Sequence, residues 1–149
     1  MTYNVVESLT KINSDGSVSP LLAESWEVSP DLKTTTFKLR KGVKFHNVPP
    51  TNGREFTSED AKLSIERYRQ GGVQKDVWSP VVSVETPDNY TVKIKLDQPF
   101  VDFPRNIAAW SHMDAKEMIA TPDFLKAHAV GTGPFIQQEW TPKEKSVFV

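Results

Sequence analysis

Cysteine is absent from these 149 residues, so no disulfide braces the fold and no thiolate is available as nucleophile or metal ligand. The absence leaves the redox compartment open, since exported bacterial proteins often lack cysteine too. Charge of one sign is missing as well: 18 basic side chains face 19 acidic ones. Without a basic field nothing draws in nucleic acid, and without a polybasic run nothing holds the chain on anionic lipid. No apolar stretch approaches the roughly 18 residues that a membrane-spanning helix needs. Histidine is scarce, and His46, His112 and His128 have no spacing that suits a metal site. What remains is a globular composition, 38% apolar and 25% charged, with enough chain to bury one core.

The most informative stretch is LAESWEVSPDLKTTTFKLRKGVKFH, residues 22–46. Apolar residues alternate on both sides of Ser29-Pro30-Asp31-Leu32-Lys33, which predicts an antiparallel hairpin of strands at about Glu24–Val28 and Thr34–Leu39. Trp26 and Val28 share one parity, as do Phe37 and Leu39, and each pair is expected on the core face. Upstream, Val5, Val6 and Leu9 suit a short helix over about Tyr3 to Thr10, followed by a turn at Asn13-Ser14-Asp15-Gly16. Downstream, Thr57 reads as an N-cap, with Glu59 and Asp60 where the helix dipole favours carboxylates. Ala61, Ile65 and Tyr68 then fall on one helical face, and Gly71-Gly72 stops the helix. Val81–Glu85 and Tyr90–Leu96 flank Pro87-Asp88-Asn89 as a second hairpin.

Shorter elements follow. Asn106–Ala109 suits a short helical piece, and Thr121-Pro122-Asp123 opens a helix to about His128. Gly131-Thr132-Gly133-Pro134 reads as a flexible joint before a strand at Phe135–Trp140, with Ser146–Val149 another strand-like run. The order β-β-α-β-β-α predicts an α+β fold: an antiparallel sheet of about four strands from two hairpins, with helices packed on one face.

Several segments, in this order, resemble the family 5 extracellular solute-binding proteins: YNVVESLTKINSDGSVSP, AESW with its hairpin and TFKLRKGVKFH, REFTSEDAKLSIER, PDNYTVKIKLDQPF and VGTGPFIQQEW. These are the dipeptide-, oligopeptide- and nickel-binding receptors of ABC importers. The segment HNVPPTNGREF departs from the shorter turn more usual there, so that loop is expected to differ in shape. The resemblance implies a periplasmic-binding-protein type II-like fold and a fragment holding the small second domain. Residues from about Glu7 to Val130 would be the inserted second domain, with 1–6 and 131–149 as severed segments of its neighbour. No signal peptide precedes Thr2, and Met1 and the apolar end at Val149 fit an excised piece. The parent would be periplasmic or extracellular, with a lipid anchor as one option, and would deliver its solute to permease subunits. The severed segments are expected to be poorly ordered unless they pair with each other, and bare strand edges would favour self-association.

Catalysis finds little support, since no acid–base or metal constellation is visible, and no cofactor is implied. His46 reads as a turn histidine and His128 as a helix-end cap. Ligand contact is the better question. Trp78, between the main helix and the next strand, is either a core plug or a wall of the solute site. The resemblance favours the wall, because nickel-binding relatives line the pocket with an aromatic residue at the matching place. The segment RNIAAWSHM, residues 105–113, matches one that carries a pocket arginine in those relatives, which makes Trp110, His112 and Arg105 the further candidates. Trp26 and Trp140 lie on strand patterns and are expected in the core. An enzyme domain and a protein-interaction or sensory module of the same architecture are the competing readings.

Overall fold

The computed structural model describes residues 5–71, 75–141 and 144–149. In chain order the elements are β1 (Thr10–Ile12), β2 (Val18–Pro20), β3 (Ala23–Val28), β4 (Thr34–Leu39), α1 (Ser58–Gln70), α2 (Lys75–Trp78), β5 (Val81–Asp88) and β6 (Thr91–Leu96). They continue with α3 (Phe103–Trp110), α4 (Lys116–Ile119), α5 (Pro122–Ala127), β7 (Gln137–Thr141) and β8 (Lys145–Phe148).

The two expected hairpins merge into one four-stranded antiparallel sheet of order β3-β4-β6-β5. Its register places Trp26 opposite Phe37, Phe37 opposite Val92, and Val84 opposite Ile94. Phe37, Val92 and Ile94 have no exposed surface, and burying each such side chain contributes about 1.5–3 kcal/mol. The other face carries Glu27, Lys38, Lys93, Lys95 and Glu85, with Lys95 bonded to Glu85 at 2.8 Å. The turn between β3 and β4 is set by Asp31, whose carboxylate accepts from Ser29 Oγ at 2.5 Å and Lys33 N–H at 3.0 Å. Those bonds hold the Asp31 carboxyl below its usual range.

Helix α1 starts where the sequence places it. Asp60 accepts the N–H of the N-cap Thr57 at 3.0 Å, and α1 ends at Gly71; Gly72 lies outside the described residues. Ala61 and Ile65 of α1, Trp78 of α2, and Phe103 and Ile107 of α3 join the sheet's apolar face in one core. A buried Asp60 anchors the loop before the helix: Arg54 donates to both its oxygens at 2.9 and 2.6 Å and also grips Glu117 of α4. The Asp60 carboxylate also accepts the Lys116 N–H at 3.0 Å. Burial opposes the Arg54 charge, yet the two carboxylates raise its pKa, while Arg54 holds Glu117 below its usual range. The inserted loop closes on itself, with Thr51 Oγ1 donating to the His46 and Val48 carbonyls at 2.8 and 3.0 Å.

Three expectations need correction. The helix over Tyr3 to Thr10 is absent from its described part: Val5 and Val6 lie in a turn and bend, and Thr10 opens β1. Tyr3 lies outside the described residues. The apolar spacing that suggested a helix arises because Val5, Val6 and Leu9 all bury in an irregular segment. That segment leads into an unexpected hairpin, β1 with β2, around the expected turn at Gly16 with φ 81°. Secondly, Trp140 is 44% exposed on the β7–β8 hairpin, because that two-stranded ribbon has no third layer. Trp26 is partly buried against the core, 6.5 Å from Phe37.

Thirdly, the glycine-rich joint is bonded in rather than loose. Gly133 N–H donates to Val5 O at 2.9 Å, and a Cβ on Gly131 would fall 2.1 Å from that same carbonyl oxygen. His46 closes the crossing: its N–H donates to Gly131 O, its Nε2–H to Gly133 O at 2.8 Å, and its Nδ1 accepts the Gly131 N–H at 3.4 Å. Thr132 Oγ1 adds a bond to Glu7 at 2.8 Å. Glycine serves here for close approach, not for flexibility. Segments 5–7 and 130–133 therefore pair with each other.

Candidate functional site

Segment 105–114 collects the features that sequence reasoning sought. Phe103, Pro104 and Ile107 bury one face of α3, which packs against β1 and the segment before it through Thr10 Oγ1 to Pro104 O at 2.8 Å and Ser8 Oγ to Ile107 O at 2.9 Å. Arg105 points away from that face, and among the described residues its side chain pairs with the neighbouring Asp102 carboxylate at 3.3 Å, with 41% of it exposed; Trp110 follows Phe103 by seven positions on the same side of the helix but sits at its last residue, past the packed part, and is 48% exposed. Trp110 lies five positions after Arg105, about 7.5 Å further along the axis and roughly 140° around it.

His112 follows α3 in an extended stretch and is partly buried. Burial, with help from the nearby Arg67 charge, pushes its imidazole pKa below the ordinary 6.5, so it is neutral near neutral pH. Both its backbone groups are bonded to Tyr68 of α1: the hydroxyl accepts the His112 N–H at 3.0 Å and donates to the His112 carbonyl at 3.3 Å. Arg67 pairs with Asp114, which is 6% exposed. Burial raises the Asp114 carboxyl above its usual range against the pull of that arginine.

Trp78 has no exposed surface. Its indole stacks on Tyr68 at 5.7 Å and meets Phe103 edge-on at 6.0 Å. A hollow of about 610 Å³ between the C-terminal part of α1 and α2 has Trp78 behind it, but the indole backs this hollow rather than opening into it. The geometry is that of a core plug. Trp78 thus supports the candidate segment through Tyr68, while Trp110, His112 and Arg105 lie at or near the surface. Among the described residues, no cluster of three or more His, Asp or Glu side chains is placed to hold a metal ion. Three further grooves, one of about 680 Å³ beside Lys38, Lys41 and Tyr90, are lined by residues other than Arg105, Trp110 and His112.

Ser64, Arg67, Tyr68 and Asp114 escaped the sequence reading as site residues. A signal was present: Ser64 and Tyr68 stand four apart on the buried face of α1, where a hydroxyl needs a partner.

The family model for bacterial extracellular solute-binding proteins, family 5 Middle, matches residues 17–149. The chain belongs to this family. Its similarity to other family 5 proteins is broad: it is 33% identical over 159 residues to the nickel-binding periplasmic protein of Escherichia coli K12, covering 97% of this chain and 28% of that protein. The dipeptide-binding protein of the same organism is 33% identical over 153 residues, covering 83% of this chain and 27% of that protein. Among solved structures, the PBP AgaA from A. tumefaciens R10, in complex with agropinic acid, superimposes with a TM-score of 0.83 at 35% identity, covering 97% of this chain and 29% of that one. The chain therefore spans less than a third of the length of these family 5 relatives.

Proposed function

We propose that this chain is the second-domain portion of the substrate-binding component of an ABC importer. In the complete receptor it captures a peptide or a related small solute, such as a nickel chelate, opine or sugar, without covalent change. The loaded receptor, periplasmic or extracellular, then hands the solute to the permease. Residues from about Glu7 to Val130 form the inserted domain, and the paired segments at either end lead to the neighbouring one. The single observation that carries this reading is the family match over residues 17–149. The relatives named for dipeptides and nickel, and the structure holding agropinic acid, support the solute class.

Within this reading Trp110, His112 and Arg105 form part of the wall facing the solute, and Trp78 stiffens it from behind. An exposed indole at the end of a well-packed helix suits that task, because it offers a large rigid face on a fixed support. Closure onto the solute favours the state the permease recognises only to the extent that the solute binds that state more tightly. Uptake of labelled dipeptides or of nickel by cells carrying or lacking the gene tests the proposal. Loss of uptake of one solute class on deletion is the expected result. Unchanged uptake of all of them, with a protein partner captured instead, would favour an interaction or sensory module built on the same architecture.

A further inference from the structure

Residues 112–114 are held in a way that neither a helix nor a sheet provides. On one side, Tyr68 Oη accepts the His112 N–H at 3.0 Å and donates to the His112 carbonyl at 3.3 Å. Two residues on, Ser64 Oγ accepts the Asp114 N–H at 2.9 Å and donates to the Asp114 carbonyl at 3.2 Å. Each hydroxyl has one proton to give and lone pairs to receive with, so one donor and one acceptor bond apiece satisfies it. On the other side, the intervening Met113 N–H donates to Glu7 O at 2.8 Å.

Alternate residues thus turn both backbone groups towards α1, as they would towards a neighbouring strand. Ser64 and Tyr68, four apart on one helix face, stand in for that strand. Arg67 completes the grip by pairing with the Asp114 carboxylate while its guanidinium lies 4.9 Å from the centre of the Tyr68 ring. Tyr68 is fixed in turn by stacking on the buried Trp78.

We infer that Ser64 and Tyr68 are positioning residues for solute capture. By fastening the stretch after α3 as a rigid extended strip, they present Trp110 and His112 in one arrangement before the solute arrives. A strip held only at its ends would sample many backbone states and lose them on binding, which weakens affinity. The inference rests on the placement of Trp110 and His112 at the solute wall proposed above.

The test uses Tyr68→Phe, which keeps the ring stacked on Trp78, and Ser64→Ala. In this chain, amide hydrogen exchange at His112 and Asp114 is expected to quicken at least tenfold in the matching variant, with Val92 and Ile94 amides unchanged. In the complete receptor, Met-Leu and nickel–L-histidine serve as probes, and the bound one is expected to dissociate about five- to tenfold faster. Ile94→Val, which loosens the core elsewhere, should lower the melting temperature without changing dissociation. Unaltered exchange at both amides overturns the inference. So does unaltered dissociation in Tyr68→Phe and Ser64→Ala when Trp110→Ala does weaken binding; the solute wall then stands. Failure of Trp110→Ala to weaken binding, or failure of both probes to bind at all, overturns the wall placement and the inference with it.

Discussion

Replacing Arg54 by alanine probes the most heavily bonded charge in the structure. Asp60 has no exposed surface, and Arg54 covers both its oxygens with a side chain only 26% exposed. Removing one partner of a buried pair leaves the other charge uncompensated, at a cost of about 3–5 kcal/mol. The lower end applies here, because Asp60 keeps the Thr57 and Lys116 N–H groups and water can follow the vacated side chain. With a urea slope of about 1.5 kcal/mol per molar, a loss of about 3 kcal/mol moves the unfolding midpoint down by roughly 2 M. Glu117→Gln, by contrast, touches a carboxylate 30% exposed and should cost about 1 kcal/mol or less. Equilibrium urea unfolding followed by tryptophan fluorescence reads both. A midpoint shift under about 0.3 M for Arg54→Ala would show that the pair contributes little.

Gly131→Ala forces a methyl group onto the Val5 carbonyl, 2.1 Å away; calorimetry should show a loss of at least the 1–3 kcal/mol typical of overpacking. Trp78→Phe keeps an aromatic face for Tyr68 to stack on, so it should lower the melting temperature while leaving solute affinity of the complete receptor within about twofold; an affinity loss with unchanged melting would return Trp78 to the solute wall. His112 has a folded-state pKa below its ordinary 6.5, so the unfolded chain binds the extra proton first and stability falls as pH drops below that value. Glu117, lowered from 4.5, adds a further loss as pH falls through that region, whereas Asp114, raised from 3.8, gains stability as it takes up its proton there. Urea midpoints measured against pH should therefore decline from about 6.5 downward, and His112→Gln should flatten the upper part of that slope.

Both hairpins and α1 were legible because their signals are local. Alternation around Asp31, and around Pro87-Asp88-Asn89, fixes strand faces within a few residues, and Thr57 with Asp60 caps α1 from within its own first turn. The β1–β2 hairpin was hidden because its strands are only three residues long and carry no alternation. Spacing at Val5, Val6 and Leu9 imitated a helix because burial there is set by the crossing with Gly131 and Gly133, more than a hundred residues away. The candidate site divides the same way. The exposed Trp110 could be singled out from its segment, but the hydroxyls that fasten 112–114 join residues about 50 apart, so the i,i+4 spacing of Ser64 and Tyr68 marks a need for partners without saying where they lie. Trp78 marks the limit of reading one residue at a time, since an indole on a connection suits a wall and a plug equally until its neighbours are known.

On the function proposed above, the chain is one domain of a solute receptor and holds only part of the binding site. Titration calorimetry with dipeptides and nickel–L-histidine, run in parallel on this chain and on the complete receptor, tests it most directly. Micromolar or tighter binding of one of these solutes by the receptor is expected, and none by the chain alone. Micromolar binding by the isolated chain would contradict it.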